Sequence, residues 1–265
     1  MLRVEIRTQL LRLRTLVALA ALAAIPIVAG LATSSTAGHP NGSQGGLFGA
    51  STYSALNHAL ASLAFIEPQL LPIAVAMLAC AVASSDRGWG TLRYLYVAPV
   101  SRTRLLVGKL TAVALFTLAS TLCVVLAGLA TGLAIFGWHD VHIIGAPTLT
   151  GGESVARAGV AIGYILLSML SIAAIAFALG LMLPRGAEAL TVAIGFVIVA
   201  NMLDGANFLA DVRKALSVHY WQDWMDLFEP AGSAHLATGV TVQLATIVAA
   251  VGLSALVLLR REPAA

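Results

Sequence analysis

Residues 110–137 read LTAVALFTLASTLCVVLAGLATGLAIFG, a run without one charged side chain. A helix rises about 1.5 Å per residue and a bilayer core needs about 20 apolar residues, so this run alone is long enough to cross a membrane. Working outward from it, five further stretches pass the same test, near 15–33, 63–83, 158–183, 188–204 and 239–259. The expectation is an all-α integral membrane protein with six transmembrane helices in a single membrane domain over residues 1–265. Composition agrees: 59% of residues are hydrophobic and 10% charged, against roughly 25% charged in soluble domains. Arg12 and Arg14 before the first span resemble a secretory signal, but the apolar stretch from Leu16 to Ala32 exceeds a signal core, so a retained first helix is expected.

Charge sets the expected orientation. The amino terminus, the 84–109 loop, the 184–188 turn and the carboxyl terminus together hold Arg3, Arg7, Arg12, Arg14, Arg87, Arg93, Arg102, Arg104, Lys109, Arg185, Arg260 and Arg261, leaving only Arg157, Arg213 and Lys214 for the other side. Cytoplasmic loops are enriched in Lys and Arg, so both termini are expected in the cytoplasm, with the chain in the cell inner (plasma) membrane. Acidic residues lean the other way: Glu67, Asp140, Glu153, Asp204, Asp211, Asp223, Asp226 and Glu229 fall outside. A pI near 9.1 suggests nucleic acid in a soluble chain. Here the basic residues are juxtamembrane, and anionic lipid headgroups are sufficient partners. Cys80 and Cys123 lie in apolar runs without a CxxC pair and read as small core residues.

Residues 1–14 place Leu2, Ile6, Leu10 and Leu13 on one helical face and Arg3, Arg7 and Arg14 on another, the pattern of an interfacial helix. Such an arm is either a lever beside a partner or an anchoring flank. Ser34–Gly49 reads as an outer loop, rich in Gly and Ser. His139, Asp140 and His142 follow the third span without a further ligand at defined spacing, so they read as a hydrated loop and no metal site is expected. In Asp211–Phe228, Val212, Leu216, Tyr220, Trp224 and Leu227 recur every three or four residues beside Trp221. One or two short helices at the outer interface are expected there, as an aromatic belt or as a cap over a pathway.

Ionisable residues near membrane depth are costly and rare. Glu67 opens the expected second span, followed by Gln69, while Asn201 and Asp204 close the fifth. Glu67, Asn201 and Asp204 then lie at one outer level and, with Gln69, form the candidate substrate pathway: an acidic mouth if the two helices are neighbours, or, alternatively, terminal carboxylates of Glu67 and Asp204 in headgroup water. Thr117, Ser120, Thr121, Ser168 and Ser171 fit helix packing. Pro26 and Pro72 are positions where a helix can kink.

Between the second and third spans stands SSDRGWGTLRYLYVAPVSRTRLLVGK, Ser84–Lys109, which holds five of the fifteen Lys and Arg residues. Gly88 and Gly90 loosen the chain, Thr91–Val97 is long enough for two helical turns, and Pro99 ends them. Its order, Asp86-Arg87-Gly88-Trp89-Gly90-Thr91-Leu92, then Pro99-Val100-Ser101-Arg102, then Leu105-Leu106-Val107-Gly108-Lys109, resembles the acidic-Arg-x-x-Gly-Thr-Leu, Pro-Val-Ser-Arg, Leu-Leu-x-Gly-Lys pattern of type-2 ABC transporter permeases. Members usually carry Glu where this chain has Asp86. The resemblance implies a transmembrane subunit of an ATP-driven exporter in which a coupling helix in this loop docks on a separate ATPase. The coupling residues it implies are Asp86, Arg87, Gly90, Thr91, Leu92, Tyr94, Pro99, Val100, Ser101, Arg102, Gly108 and Lys109. It further implies two ATPase copies binding ATP and Mg, a second permease copy or a sister permease, and short outer helices after the fifth span.

The chain has no GxxxxGK[ST] phosphate loop, no GxSxG elbow and no HExxH pair, so neither its own ATP hydrolysis by such a loop nor catalysis by those motifs is expected, and no cofactor is expected in this chain. Few charges in the spans favour an amphipathic or hydrophobic small-molecule cargo, such as a drug, an antibiotic or a lipid-like compound. An ATPase-independent channel or secondary transporter, or an intramembrane enzyme, remains the alternative.

Overall fold

The structure of the chain, a computed structural model, describes residues 12–36, 49–85, 102–143, 148–183, 185–205, 213–214, 216–228 and 236–260. The regular elements among them are helical: α1 (Leu13–Ala32), α2 (Ala55–Ile66), α3 (Leu70–Ala83), α4 (Arg102–Ile135), α5 (Gly151–Met182), α6 (Gly186–Asp204) and α7 (Leu236–Arg260). Short 3-10 helices occupy Ser34–Thr36, Ser217–Tyr220 and Asp223–Phe228. Of the expected interfacial arm over residues 1–14, residues 1–11 lie outside the described residues while Leu13 and Arg14 belong to α1; the coupling helix within 86–101 also lies outside them.

Five helices, α1, α4, α5, α6 and α7, are each long and apolar enough to cross a membrane; α2 and α3, bent by 65° where they meet, make a sixth span if counted together. The first, fifth and sixth expected spans match their helices to within three residues at each end, and the fourth begins seven residues earlier than expected, at Gly151. The third runs from eight residues earlier than expected to two residues short of its expected end. The second span needs correction, because its helical part begins at Ala55 and not near residue 63. Asn57, His58 and Ser62 lower the hydropathy of ALNHALASLAFI, yet all three are buried. Ser54 starts this helix in extended geometry, its hydroxyl accepting from the Asn57 backbone N–H at 3.2 Å, and Pro68 ends it by supplying no N–H.

Side-chain contacts fix the directions. Cys123 lies by the Leu19 carbonyl, and a Cβ on Gly30 would touch Thr131 and Ile135, so α1 and α4 run parallel. A Cβ on Gly128 would stand 2.8 Å from the Ala59 Cα, and one on Gly132 2.6 Å from the Ala55 Cα. Gly128-x-x-x-Gly132 therefore meets Ala55-x-x-x-Ala59 in an antiparallel seam where only small residues allow the backbones to close. At the other end Gly180 packs on Ala83 and Cys80, and Gly186 faces Ser84, which brings the end of α5 and the start of α6 to the end of α3. The Arg102 guanidinium donates to the Leu258 carbonyl at 3.1 Å. The starts of α4 and α6 thus share one basic end with the finishes of α3, α5 and α7.

At the opposite end of α4, Gly137 turns the chain with φ of +77°, the left-handed geometry that glycine adopts freely at a helix terminus. Its carbonyl accepts from Ala55 N at 2.9 Å, and the Asn57 amide bonds both backbone groups of His142, at 2.5 and 3.2 Å. The turn after α4 is thereby tied to the first turn of α2.

Candidate functional site

The break between α2 and α3 is where backbone, carboxylate and aromatic chemistry meet. Pro72 has no N–H, so the Pro68 carbonyl, four residues earlier, lacks its helical donor. The Asn201 side chain on α6 donates to that carbonyl at 3.0 Å and to its own Val197 carbonyl at 2.9 Å. The kink is therefore held open from a neighbouring helix. One residue before Pro68, Glu67 is fully buried, at 0% exposure. Its Oε2 accepts the indole N–H of Trp224 at 2.5 Å, while Oε1 is buried with no hydrogen-bond partner among the described residues.

This revises the position expected for Glu67. Twelve helical residues precede it, about 18 Å of helix at 1.5 Å per residue, so it sits inside a broken span and does not open one. Gln69 beside it is exposed. Asp204 is partly exposed and occupied: His219 Nδ1 lies 2.7 Å and Arg213 Nε 3.4 Å from its Oδ1. The α3 and α6 helices are neighbours as required for a mouth. Their polar groups, however, hold the fold together: Asn201 on Pro68, Glu67 on Trp224, Asp204 on the 213–219 segment.

The short helices expected after the fifth span are present, as two 3-10 turns, but their aromatic residues do not form a belt at an interface. Trp221, Trp224 and Phe228 are buried, and Trp224 meets Phe228 edge to face with ring centroids 6.2 Å apart. Three bonds seat the segment. Trp224 reaches Glu67; the Tyr164 hydroxyl on α5 donates to the Tyr220 carbonyl at 2.7 Å; Arg157, also on α5, donates to the Leu227 carbonyl at 2.6 Å. On α7 a Cβ at Gly239 would come within 2.0 Å of the Tyr164 hydroxyl, and Gln243 donates to Ser168 at 2.8 Å. Nothing in the sequence shows that Trp224 bonds Glu67 or that Tyr164 holds the segment. The only sequence signal was the three- and four-residue spacing of apolar positions, which does not say how deeply the segment inserts.

At the basic end, Lys109 was expected to face lipid phosphate or a partner. It is buried, and its ammonium donates to the Val82 carbonyl and the Ser85 hydroxyl, each at 2.8 Å. It caps the end of α3, where carbonyls lack helical donors and the helix dipole favours a cation. Arg102 serves the end of α7 in the same way. Gly108 has open space where a side chain would begin. Asp86, Arg87, Gly90, Thr91, Leu92, Tyr94, Pro99, Val100 and Ser101 lie outside the described residues.

Five long apolar helices, and a sixth span if the bent pair is counted as one, make this an all-helical chain of multi-pass membrane type. The chain belongs to the family described as "Protein of unknown function (DUF2705)", whose sequence pattern matches residues 41–220. The match takes in the broken span, the 84–109 loop, α4, α5 and α6. A search of curated proteins found no match to the chain.

Proposed function

We propose that this chain is the permease subunit of a type-2 ABC exporter, driven by a separate ATPase that binds ATP and Mg. The observation that carries the reading is the ordered run from Asp86 to Lys109, which resembles the coupling loop of such permeases in sequence and in its place after the second span. The anchoring of Lys109 and Arg102 supports it. Lys109 joins the exit of the loop to its entry at Val82 and Ser85, and Arg102 joins it to α7. A push on the intervening residues is then delivered to three helix ends at once.

In this reading both termini and the loop face the cytoplasm, on the evidence of the Lys and Arg distribution. Two permease halves, identical or sister chains, enclose the pathway with two ATPase copies below them. The cargo is an amphipathic or hydrophobic small molecule, in keeping with spans that carry few charges. The test is reconstitution of the chain in liposomes with the ATPase encoded beside it. ATP hydrolysis stimulated by amphipathic compounds, and lost when Gly90–Arg102 is scrambled, is the expected result. Flux through the chain alone without ATP contradicts the reading and favours a channel or secondary transporter. Conversion of a lipid-soluble compound favours an intramembrane enzyme.

A further inference from the structure

Glu67 is the one fully buried carboxylate among the described residues, and the ion pairs there do not include it: Arg157 pairs with Glu153, Arg185 with Glu188, and Arg213 and His219 with Asp204. The basic groups on the elements around it are bonded elsewhere: Arg157 on α5 to Glu153 and the Leu227 carbonyl, His219 to Asp204, and His58 on α2 to the Pro26 carbonyl. Trp224 gives one neutral N–H. On its 3-10 helix stand Asp223 and Asp226, of the same sign as a carboxylate. From α5 comes Tyr164, whose hydroxyl donates to the Tyr220 carbonyl; from α6 Asn201, engaged by Pro68 and Val197; from α7 Gln243, whose Oε1 is itself a buried acceptor without a partner.

We propose that the Glu67 carboxyl is a proton-binding site inside the membrane domain, holding one exchangeable proton while Trp224 is seated on it. A bare carboxylate with one neutral donor, no cation and an unfilled oxygen is among the costliest arrangements a protein interior can hold. One proton removes the charge and turns an unfilled acceptor into a donor. The indole bond survives the change, because Oε2 accepts in either state.

Position gives the site consequence. Glu67 lies at the 65° bend between α2 and α3, where Pro68 and Pro72 leave the backbone ladder interrupted. It is covered by a segment seated through Trp224, Tyr164 and Arg157. Water reaches the carboxyl when that segment lifts, so proton release and unseating of residues 217–228 favour one another. The inference stands on the burial and bonding of Glu67 and does not depend on the transport reading.

Infrared spectroscopy of the purified full-length protein tests it. At neutral pH the wild type is expected to show a protonated-carboxyl C=O band that moves in heavy water and is lost in Glu67→Gln. In Trp224→Phe the band is expected to persist but shift, because the indole donor is gone. Identical wild-type and Glu67→Gln spectra in that region overturn the proposal, and that includes the case of an ionised Glu67 solvated by buried water. A second measurement avoids reliance on folding of the Gln variant: dicyclohexylcarbodiimide adds to protonated carboxyls in apolar surroundings. Peptide mapping is expected to place the adduct on Glu67, with faster labelling in Trp224→Phe. No adduct on Glu67 in either protein overturns the proposal.

Discussion

Trp224 and Glu67 are 157 positions apart in sequence and 2.5 Å apart in space, indole Nε1 to carboxyl Oε2. The bond ties the segment after α6 to the break between α2 and α3. Replacing Trp224 with Phe keeps an aromatic ring beside Phe228 but leaves both Glu67 oxygens without a donor. A buried polar atom left unsatisfied costs about 1–3 kcal/mol. Thermal unfolding in detergent is expected to fall accordingly, with protease cleavage appearing first within 217–228.

Gly239 and Tyr164 form a second, independent fastening. Gly239→Ala places a methyl group where the Tyr164 hydroxyl stands, so it is expected to break the Tyr164–Tyr220 bond and destabilise the protein. Tyr164→Phe removes the clashing oxygen. The double variant should therefore lose less stability than the two single changes added together, by about 1 kcal/mol, as coupled neighbours do. Strict additivity in a melting series refutes this contact.

The seam of Gly128 and Gly132 against Ala59 and Ala55 predicts a steep dependence on side-chain size. Gly132→Val forces apart backbones that now meet at van der Waals distance, and overpacking of this kind costs about 1–3 kcal/mol. Gly195→Ala, at a position with open space, is the control and should leave the melting temperature unchanged or slightly raised.

Lys109→Met keeps the bulk of the stem and removes the cation that caps α3. Hydrogen bonds to charged groups contribute about 2 kcal/mol, so stability should drop by that order, and Lys109→Arg should recover part of it. If the loop transmits work from an ATPase, Lys109→Met should also lower cargo-stimulated ATP hydrolysis more than basal hydrolysis.

Much of the membrane architecture was legible because apolar length is a one-dimensional property. Residues 110–137 need no tertiary information to be read as a span, whereas the helix there runs on to Arg102 through a basic stretch whose Arg102 and Lys109 bond the ends of α7 and α3, contacts that no local pattern encodes. The second span was misread at its start for the same reason. Asn57 and His58 look unsuitable for a membrane until the Asn57–His142 bonds and the 2.9 Å contact of His58 Nε2 with the Pro26 carbonyl are seen. Glu67, Asn201 and Asp204 stand out in the sequence as polar groups near membrane depth, and each is bonded: Glu67 and Asn201 across 157 and 133 positions, Asp204 to the nearer His219. Their partners were not legible. Trp224, Pro68 and His219 become neighbours through the packing of α5, α6 and the 3-10 turns, which no local pattern encodes. Lys109 was read by its charge alone, whereas its buried stem and the open end of α3 decide where it points.

The central claim is that work enters this membrane domain from a separate ATPase through the loop whose ends Lys109 and Arg102 hold. Co-elution from detergent of the affinity-tagged chain, expressed together with its genomic neighbours, measures that claim most directly. The account predicts that an ABC-type ATPase elutes with the wild type and is lost when residues 90–101 are scrambled, a change that keeps the Arg102 bond to the Leu258 carbonyl and is expected to leave the melting temperature unchanged. An ATPase that elutes equally with the scrambled chain, or a well-folded chain that elutes with none, contradicts it.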